Sequence, residues 1–379
     1  MIILVTVILW LFACSTVISL IILLGNVKLL RETWVTRLKE KILNYINLII
    51  EGCIIINEKY FDRKLSILIK WIVPILYLSI VSFCLLKFFQ YTWYILPQNI
   101  ITNPLHQIYI AFSIIAVYFT YFMATFTDPG VIRYNNILKY GSMFKSNDLI
   151  FFQDQVCSTC KFIKPARSKH CSTCDNCVAL FDHHCVFINN CVGYRNYGFF
   201  MSFLLTNINF LLYGGYICFK ALQNVKTSEM SYWNIIARTN ETNKITGILM
   251  FLGLIFSVVV TVFTGMHLRY IYLGITTNEL EKWKDIEHLV KLGVLYEILN
   301  SPINQERFVE KCVLEDETSS KVVFISLKDE KVLFTEDDLH DHNIRAIKSV
   351  EDDLINIYDR GLWNNIKERM FPSYAVEGS

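Results

Sequence analysis

Five stretches of the chain are apolar over about twenty residues each, the length that a helix needs to cross a bilayer. They are residues 2–24, 71–94, 104–127, 198–219 and 245–268, and only the second carries a charge, Lys87. A lysine at that position reaches the interface by extending its aliphatic stem. Each stretch alone also fits a buried core helix, but five in one chain predict an α-helical integral membrane protein with about five transmembrane helices. Residues 2–24 lack a basic leader, which favours a retained anchor over a cleaved signal peptide.

The positions of lysine and arginine predict the orientation of these helices. Nine basic residues follow the first stretch: Lys28, Arg31, Arg37, Lys39, Lys41, Lys59, Arg63, Lys64 and Lys70. Residues 95–103 contain none. Because short basic loops stay in the cytosol, we expect the N-terminus in the lumen, with residues 128–197 and the tail from 269 in the cytosol.

The remaining segments are polar or mixed. Residues 42–56 carry apolar side chains at helical spacing, which favours a helix lying in the interface over an additional crossing. The domains expected are an anchor at 1–25, a cytosolic basic loop at 26–70, spans two and three at 71–127, a cytosolic cysteine-rich domain at 128–197, spans four and five at 198–272, and a mixed cytosolic tail at 273–379. In that tail the pattern predicts a helix over 281–299 and a hairpin from 322–327 and 331–334. We find no internal repeat.

Composition adds one exclusion. The net charge is +2 and no basic arm is visible, so nucleic acid is not an expected partner.

Ten cysteines and histidines crowd into one cytosolic stretch. They are Cys157, Cys160, His170, Cys171, Cys174, Cys177, His183, His184, Cys185 and Cys191. The Cys-x-x-Cys pairs have zinc spacing, and disulfides are improbable in the cytosol. Two tetrahedral zinc ions need eight ligands, which leaves one cysteine and one histidine over, and the spacing does not say which.

Four successive residues, Asp182-His183-His184-Cys185, place an acid, two imidazoles and a thiol together. A thiol beside a base that a carboxylate orients is the minimum needed for covalent acyl transfer. The alternative is a membrane-tethered zinc interaction module without acyl transfer.

The complete pattern Cys157-x2-Cys160-x9-His170-Cys171-x2-Cys174-x2-Cys177-x4-Asp182-His183-His184-Cys185-x5-Cys191 resembles the cysteine-rich domain of the DHHC palmitoyltransferases. Asp128-Pro129-Gly130, Thr276-Thr277-Asn278-Glu279 and Asn356-x4-Gly361 with Asn365 look like further motifs of that family. The family normally has Pro-Trp directly after the cysteine of its Asp-His-His-Cys motif. After the corresponding Cys185, this chain has Val186-Phe187.

The resemblance implies a role for each residue. One structural zinc is then held by Cys157, Cys160, His170 and Cys177, and the other by Cys171, Cys174, His184 and Cys191. Cys185 becomes the nucleophile, His183 its base and Asp182 the group that orients the base, with Thr277 as a hydrogen-bond partner of Asp182. The reaction implied is transfer of a long acyl chain from acyl-CoA through Cys185 to cysteines of membrane proteins.

Further expectations concern ligands and location. Lys164, Arg167 and Lys169 are candidates for binding the phosphates of CoA, or equally a basic surface that faces anionic membrane lipid. The resemblance extends to the fungal branch that acylates SNAREs, which suggests the endoplasmic reticulum or Golgi. Five scattered histidines are interpreted as structural or exposed: His106, His267, His288, His340 and His342. Tail residues such as Asn365 are expected to contribute to packing and not to the reaction.

Overall fold

The structure, a computed structural model, describes residues 37–45, 47–48, 64–299, 306–316 and 319–372. The chain divides into two compact units, residues 1–72 and 73–379. In the first unit, residues 37–45 and 47–48 are helical and expose Tyr45 and Leu48. They contain the start of the predicted interfacial helix. The rest of that helix and the predicted span at 2–24 lie outside the described residues.

Four helices in the described part of the chain are long and apolar enough to cross a membrane. They are α1 (Lys64–Lys87, continued to Ile95 by a π turn and a 3-10 turn), α3 (Pro104–Phe126), α5 (Tyr197–Val225) and α7 (Glu241–Tyr272). These confirm four of the five predicted spans. Helices α5 and α7 are longer than their apolar stretches, because a side-chain cap from Asn240 starts α7 early and polar turns extend both helices beyond the apolar windows. Shorter helices, α2 (Gln98–Ile101) and α6 (Tyr232–Arg238), precede α3 and α7.

Polar side chains pair inside the helix bundle. The hydroxyl of Tyr77 on α1 donates to the Asn207 amide oxygen on α5 at 2.8 Å. The hydroxyls of Thr120 on α3 and Thr206 on α5 lie 2.8 Å apart. Hydrogen bonds of this kind hold membrane helices together where the surrounding lipid is as apolar as the side chains.

Helices α5 and α7 cross closely at a glycine. A Cβ atom on Gly253 would lie only 2.8 Å from the Leu211 carbonyl oxygen and 3.2 Å from the Gly215 backbone nitrogen. Small residues at such crossings let two helix backbones approach. The position therefore requires glycine.

The cysteine-rich region between α3 and α5 is built from very short strands. They are β1 (Val131–Ile132), β2 (Lys169–Cys171), β3 (Asn176–Val178), β4 (His183–Cys185) and β5 (Asn190–Val192), with α4 (Ile137–Gly141) after β1. Strands β1, β3 and β2 form one sheet in that order, and β4 pairs with β5 in another.

Asn190 joins this region to the membrane helices. Its amide nitrogen donates to the carbonyl oxygens of Ala124, Thr125 and Thr127 at 2.9 to 3.2 Å. These carbonyls end helix α3, where no further turn supplies donors. The β4–β5 hairpin is thereby fixed against the end of a membrane helix.

The tail is a helix followed by a five-stranded antiparallel sheet. It contains α8 (Thr277–Leu292), β6 (Leu295–Ile298), β7 (Phe308–Asp316), β8 (Ser319–Ser326), β9 (Val332–Thr335), β10 (Ile344–Ala346), α9 (Val350–Asp353) and α10 (Leu362–Met370), and its strand order is β10-β6-β7-β8-β9. The β8–β9 hairpin was predicted. The prediction that the helix reaches residue 299 is wrong, because Gly293 adopts a left-handed conformation with φ of 70° that ends α8 and starts β6.

Candidate functional site

Two groups of side chains are arranged to hold a metal ion. Cys157, Cys160, His170 and Cys177 form one group, and Cys171, Cys174, His184 and Cys191 form the other. Within each group the ligand atoms lie within 4.8 Å of one another. Three thiols and one imidazole are a donor set that suits tetrahedral zinc. The structure thus brings together the same two sets that the family resemblance implies.

A fourteen-residue repeat explains how the groups interleave. Three hairpins have equivalent antiparallel pairs: Val156 with Ile163, His170 with Cys177, and His184 with Cys191. Their tips hold Lys161, Asp175 and Asn189, all with positive φ. Each metal group takes two cysteines from one hairpin and a histidine and a cysteine from the next. The expectation of no internal repeat is therefore wrong; it arose because each metal ligand set spans two units.

The repeat also shows why Cys185 belongs to neither group. It occupies the same position in the third hairpin as Cys157 and Cys171 in the first two. The partner position, held by Cys160 and Cys174 in those hairpins, is Ile188, a fully buried residue. Cys185 therefore has the location of a metal ligand, but its hairpin has no thiol at the position of Cys160 and Cys174 to pair with it.

Asp182 lies at the centre of a buried hydrogen-bond network. One carboxylate oxygen, Oδ2, accepts hydrogen bonds from His183 Nδ1 at 2.8 Å and from Thr277 Oγ1 at 2.7 Å. The other, Oδ1, accepts from the Thr277 amide at 3.1 Å and from Arg369 Nη2 at 2.7 Å. Burial alone raises the pKa of Asp182, but the hydrogen bond from His183 and the charge of Arg369 hold it well below its usual value. The carboxylate is therefore ionised, and the structure places Thr277 on Asp182 as the resemblance implies.

His183 lies between Asp182 and Cys185. Burial lowers the pKa of His183, but its hydrogen bond to Asp182 and the adjacent Cys185 thiol outweigh that effect and raise it to about 9. An imidazole whose Nδ1 is held by a carboxylate presents its other nitrogen as a base. With this pKa His183 binds a proton more strongly than a free imidazole does, so the arrangement favours transfer of a thiol proton to the ring.

Cys185 is buried against the membrane helices. Its side chain belongs to an apolar cluster that includes Tyr121 of α3 and Tyr197 and Phe200 of α5. The next two residues, Val186 and Phe187, are more than half exposed. The thiol therefore lies where the cysteine-rich region meets the helix bundle, with an exposed apolar surface beside it.

The three basic candidates occupy different environments. Lys169 is exposed and Lys164 is half-buried, whereas the Arg167 side chain is 1% exposed. Arg167 donates through Nε and Nη2 to both carboxylate oxygens of Glu279, at 2.6 and 2.8 Å, and through Nη1 to Glu368 at 2.8 Å. The expectation that Arg167 binds phosphate is therefore wrong, since a charged residue in the sequence does not show whether its guanidinium reaches solvent.

Replacing Arg167 with methionine is expected to lower stability by about 3 to 5 kcal/mol, because it leaves the Glu279 carboxylate buried without its partner. Thermal unfolding of the purified protein measures the change. Lys169→Met is the matched control, since Lys169 is an exposed cation two residues away, and we expect its melting temperature to match the wild type. An Arg167→Met protein as stable as the control would contradict this assignment.

Three residues of the site were missed or misjudged in the sequence. Lys282 is half-buried, and burial and the charge of Lys164 lower its pKa to about 8, so it adds a third cation near Lys164 and Lys169. Arg369 is buried on α10. In the sequence, only its spacing of four residues from Asn365, which is also buried, could have indicated that the two side chains share a buried helix face. His267 was interpreted as structural, but it lies beside His183.

The possible ligand atoms of Asp182, His183 and His267 also lie within 4.8 Å of one another, close enough to bind one metal ion. Both oxygens of Asp182 already accept hydrogen bonds from Thr277, and the Arg369 guanidinium lies 2.7 Å from one of them. A metal cation at that carboxylate would be repelled by Arg369. We therefore do not interpret these three residues as a third metal centre: Asp182 and His183 are hydrogen-bonded, and His267 packs against the His183 ring.

Comparison with known proteins agrees with the sequence motifs. A family profile described as DHHC palmitoyltransferase matches residues 150–284. The chain is 50% identical over 370 residues to Palmitoyltransferase SWF1 of Debaryomyces hansenii, which covers 97% of each chain. It is 46% identical over 364 residues to Palmitoyltransferase SWF1 of Candida albicans, covering 95% of this chain and 98% of that protein. The protein of the same name from Yarrowia lipolytica is 30% identical over 323 residues, 80% of each chain.

Proposed function

Since the chain belongs to the DHHC palmitoyltransferase family and is a protein S-palmitoyltransferase, we propose that it carries the acyl group as a thioester on Cys185. The observation that carries this proposal is the place of Cys185 in the third hairpin. It is outside both metal groups, two residues after His183 in the chain, and in contact with the apolar helix bundle.

The proposed reaction has two steps. In the first, His183 accepts the proton of the Cys185 thiol, and the thiolate attacks the carbonyl carbon of acyl-CoA. The bond to the CoA sulfur breaks, and the proton on His183 goes to that sulfur. In the second, a substrate cysteine gives its proton to His183 and attacks the Cys185 thioester, and Cys185 leaves as the thiol. Each step exchanges one thioester for another, so acyl-CoA needs no further co-reactant.

The chain's own residues hold this geometry. Asp182 keeps the His183 ring in one tautomer and stabilises it when protonated. Thr277 and Arg369 fix the carboxylate from the opposite side. Zinc bound to the two groups would supply folding energy to hairpins whose strands have only two or three residues.

In this proposal the CoA group and the acyl tail of acyl-CoA lie in different environments. Lys164, Lys169 and Lys282 are the cations available for its phosphates. The acyl tail lies among the helices, where an apolar cavity of about 120 Å³ is lined by residues of α1, α3, α5 and α7. Its first lining residue on α5, Phe210, is about 20 Å along the helix from Tyr197 at 1.5 Å per residue. An acyl chain that reaches this cavity from the region of Tyr197 must span about that distance, so the proposal assigns the enzyme a long-chain acyl group.

The remaining parts of the proposal concern orientation and substrates. The basic loops support a cytosolic position for the cysteine-rich region, residues 128–197, and the membrane proposed is that of the endoplasmic reticulum or Golgi. The acceptor cysteines belong to membrane proteins such as SNAREs. The exposed pair Val186 and Phe187 beside Cys185 supports acceptors close to the bilayer.

Metabolic labelling with an alkyne fatty acid tests this function. We expect a hydroxylamine-sensitive label on the wild-type chain that disappears in Cys185→Ser while the metal content is unchanged. Cys312→Ser is the matched control, since Cys312 is a partly exposed thiol in the tail, and its label should persist. An unlabelled wild-type protein with its metal intact would instead favour a membrane-tethered zinc interaction module.

A further inference from the structure

His267 is a buried imidazole that the proposed reaction does not use. It lies on α7 with 2% of its surface exposed. Its Nδ1 is 3.2 Å from the Tyr197 hydroxyl. Its ring centroid is 5.8 Å from that of His183, and both rings contact the edge or face of Phe200, at 5.2 and 5.3 Å.

These contacts belong to a closed ring of five residues, one of which is the proposed base, His183. Arg369 holds Asp182, and Asp182 holds His183. His183 packs on His267, which hydrogen-bonds to Tyr197. The guanidinium of Arg369 lies 4.0 Å above the Tyr197 ring, and this contact completes the ring.

We propose that His267 is a positioning residue that keeps the His183 imidazole aimed at Cys185, and this inference rests on the proposed function of those two residues. Asp182 fixes only one nitrogen of His183, and the ring remains free to tilt about that single hydrogen bond. His267 and Phe200 border the ring and limit the tilt. The hydrogen bond between Tyr197 and His267 in turn fixes the orientation of His267. A displacement of about 1 Å in a reacting group lowers rates by about a hundredfold, so a modest tilt has a measurable cost.

The experiment measures single-turnover acylation of the purified full-length protein at several palmitoyl-CoA concentrations. The variants are His267→Phe, Tyr197→Phe and the double variant. Phenylalanine at 267 keeps a ring of similar size but removes the hydrogen bond to Tyr197. Thr246→Val is the matched control, because it also removes a buried hydrogen bond on α7, 2.9 Å between the hydroxyls of Thr246 and Thr92, at the other end of that helix from His267.

We expect His267→Phe to lower the limiting acylation rate by about tenfold to a hundredfold, with the half-saturating palmitoyl-CoA concentration and the metal content unchanged. The double variant should be no slower than the slower single variant, since both changes break one hydrogen bond. Thr246→Val should behave as the wild type.

Three results would overturn the inference. They are a His267→Phe rate within threefold of the wild type, rate losses that multiply in the double variant, and a rate loss that follows loss of bound metal. Failure of the proposed function is distinguished by the wild-type arm, in which acyl label would then be absent from Cys185.

Discussion

Changing Asp182 to asparagine is expected to slow acylation of Cys185 by about a thousandfold to ten-thousandfold, the loss typical of a catalytic histidine held in the wrong tautomer. The carboxylate accepts hydrogen bonds on both oxygens, from His183 and Thr277 on one and from Thr277 and Arg369 on the other. An amide has only one acceptor oxygen. If its nitrogen faces His183, the imidazole Nδ1 must accept, and the proton moves to the nitrogen that should take the thiol proton.

The other orientation of the amide is no better. Its nitrogen would then face the Arg369 guanidinium, two donors in contact inside a buried site. Loss of the carboxylate charge also leaves Arg369 buried without a counter-ion, which costs about 3 to 5 kcal/mol. We therefore expect a lower melting temperature together with the lower rate.

Single-turnover acylation with palmitoyl-CoA measures the rate, and elemental analysis of the same sample measures bound metal. Asp154→Asn is the control, because Asp154 is an exposed aspartate three residues before the first metal-ligand cysteine. It should acylate at the wild-type rate. An Asp182→Asn protein that keeps its metal and acylates within tenfold of the wild type would contradict the role given to Asp182.

The sequence predicts those parts of the site whose residues are neighbours in the chain. Asp182, His183 and Cys185 lie within four positions, so their chemistry is visible without a fold. The four described membrane helices are similarly predictable, because each is a continuous apolar stretch. Local patterns of this kind can be recognised without a structure because they depend only on the spacing of residues along the chain.

Contacts made across the chain are different. Arg369 reaches Asp182 from 187 positions away, on a helix of only nine residues. His267 lies within an apolar helix, where a histidine has the appearance of a core residue. Arg167 was misjudged for the same reason, since its partner Glu279 follows the last membrane helix. Only packing of the tail against the cysteine-rich region brings these pairs together.

Removing the metal is expected to abolish acylation completely, because the hairpins that carry Cys185 have no other source of stability on this scale. Structural zinc contributes about 10 to 16 kcal/mol in zinc-finger peptides. The paired strands here have two or three residues, and Cys177 and Cys191 are fully buried among their ligand partners. Without a metal ion, three thiols and an imidazole are left crowded together in each group.

Two cysteine variants separate metal binding from acyl transfer. Cys174→Ser should lose one of two metal ions, acquire protease-sensitive sites within 150–195, and lose all acyl label. Cys185→Ser should lose all label but keep both metal ions and the protease resistance of the wild type. Cys312→Ser, which changes a partly exposed thiol in the tail outside the metal groups, should keep metal and label.

The comparison of Cys174 with Cys185 is decisive because the two thiols lie in successive hairpins. Cys185 matches the position of Cys171, a member of a metal group, and among the cysteine and histidine positions the hairpins differ in that Ile188 stands where Cys174 would. If Cys185→Ser emptied a metal site as Cys174→Ser does, the thiol would be a ligand and not a free nucleophile. If it leaves both ions bound, Cys185 is a free thiol at a hairpin position whose equivalents, Cys157 and Cys171, belong to the metal groups.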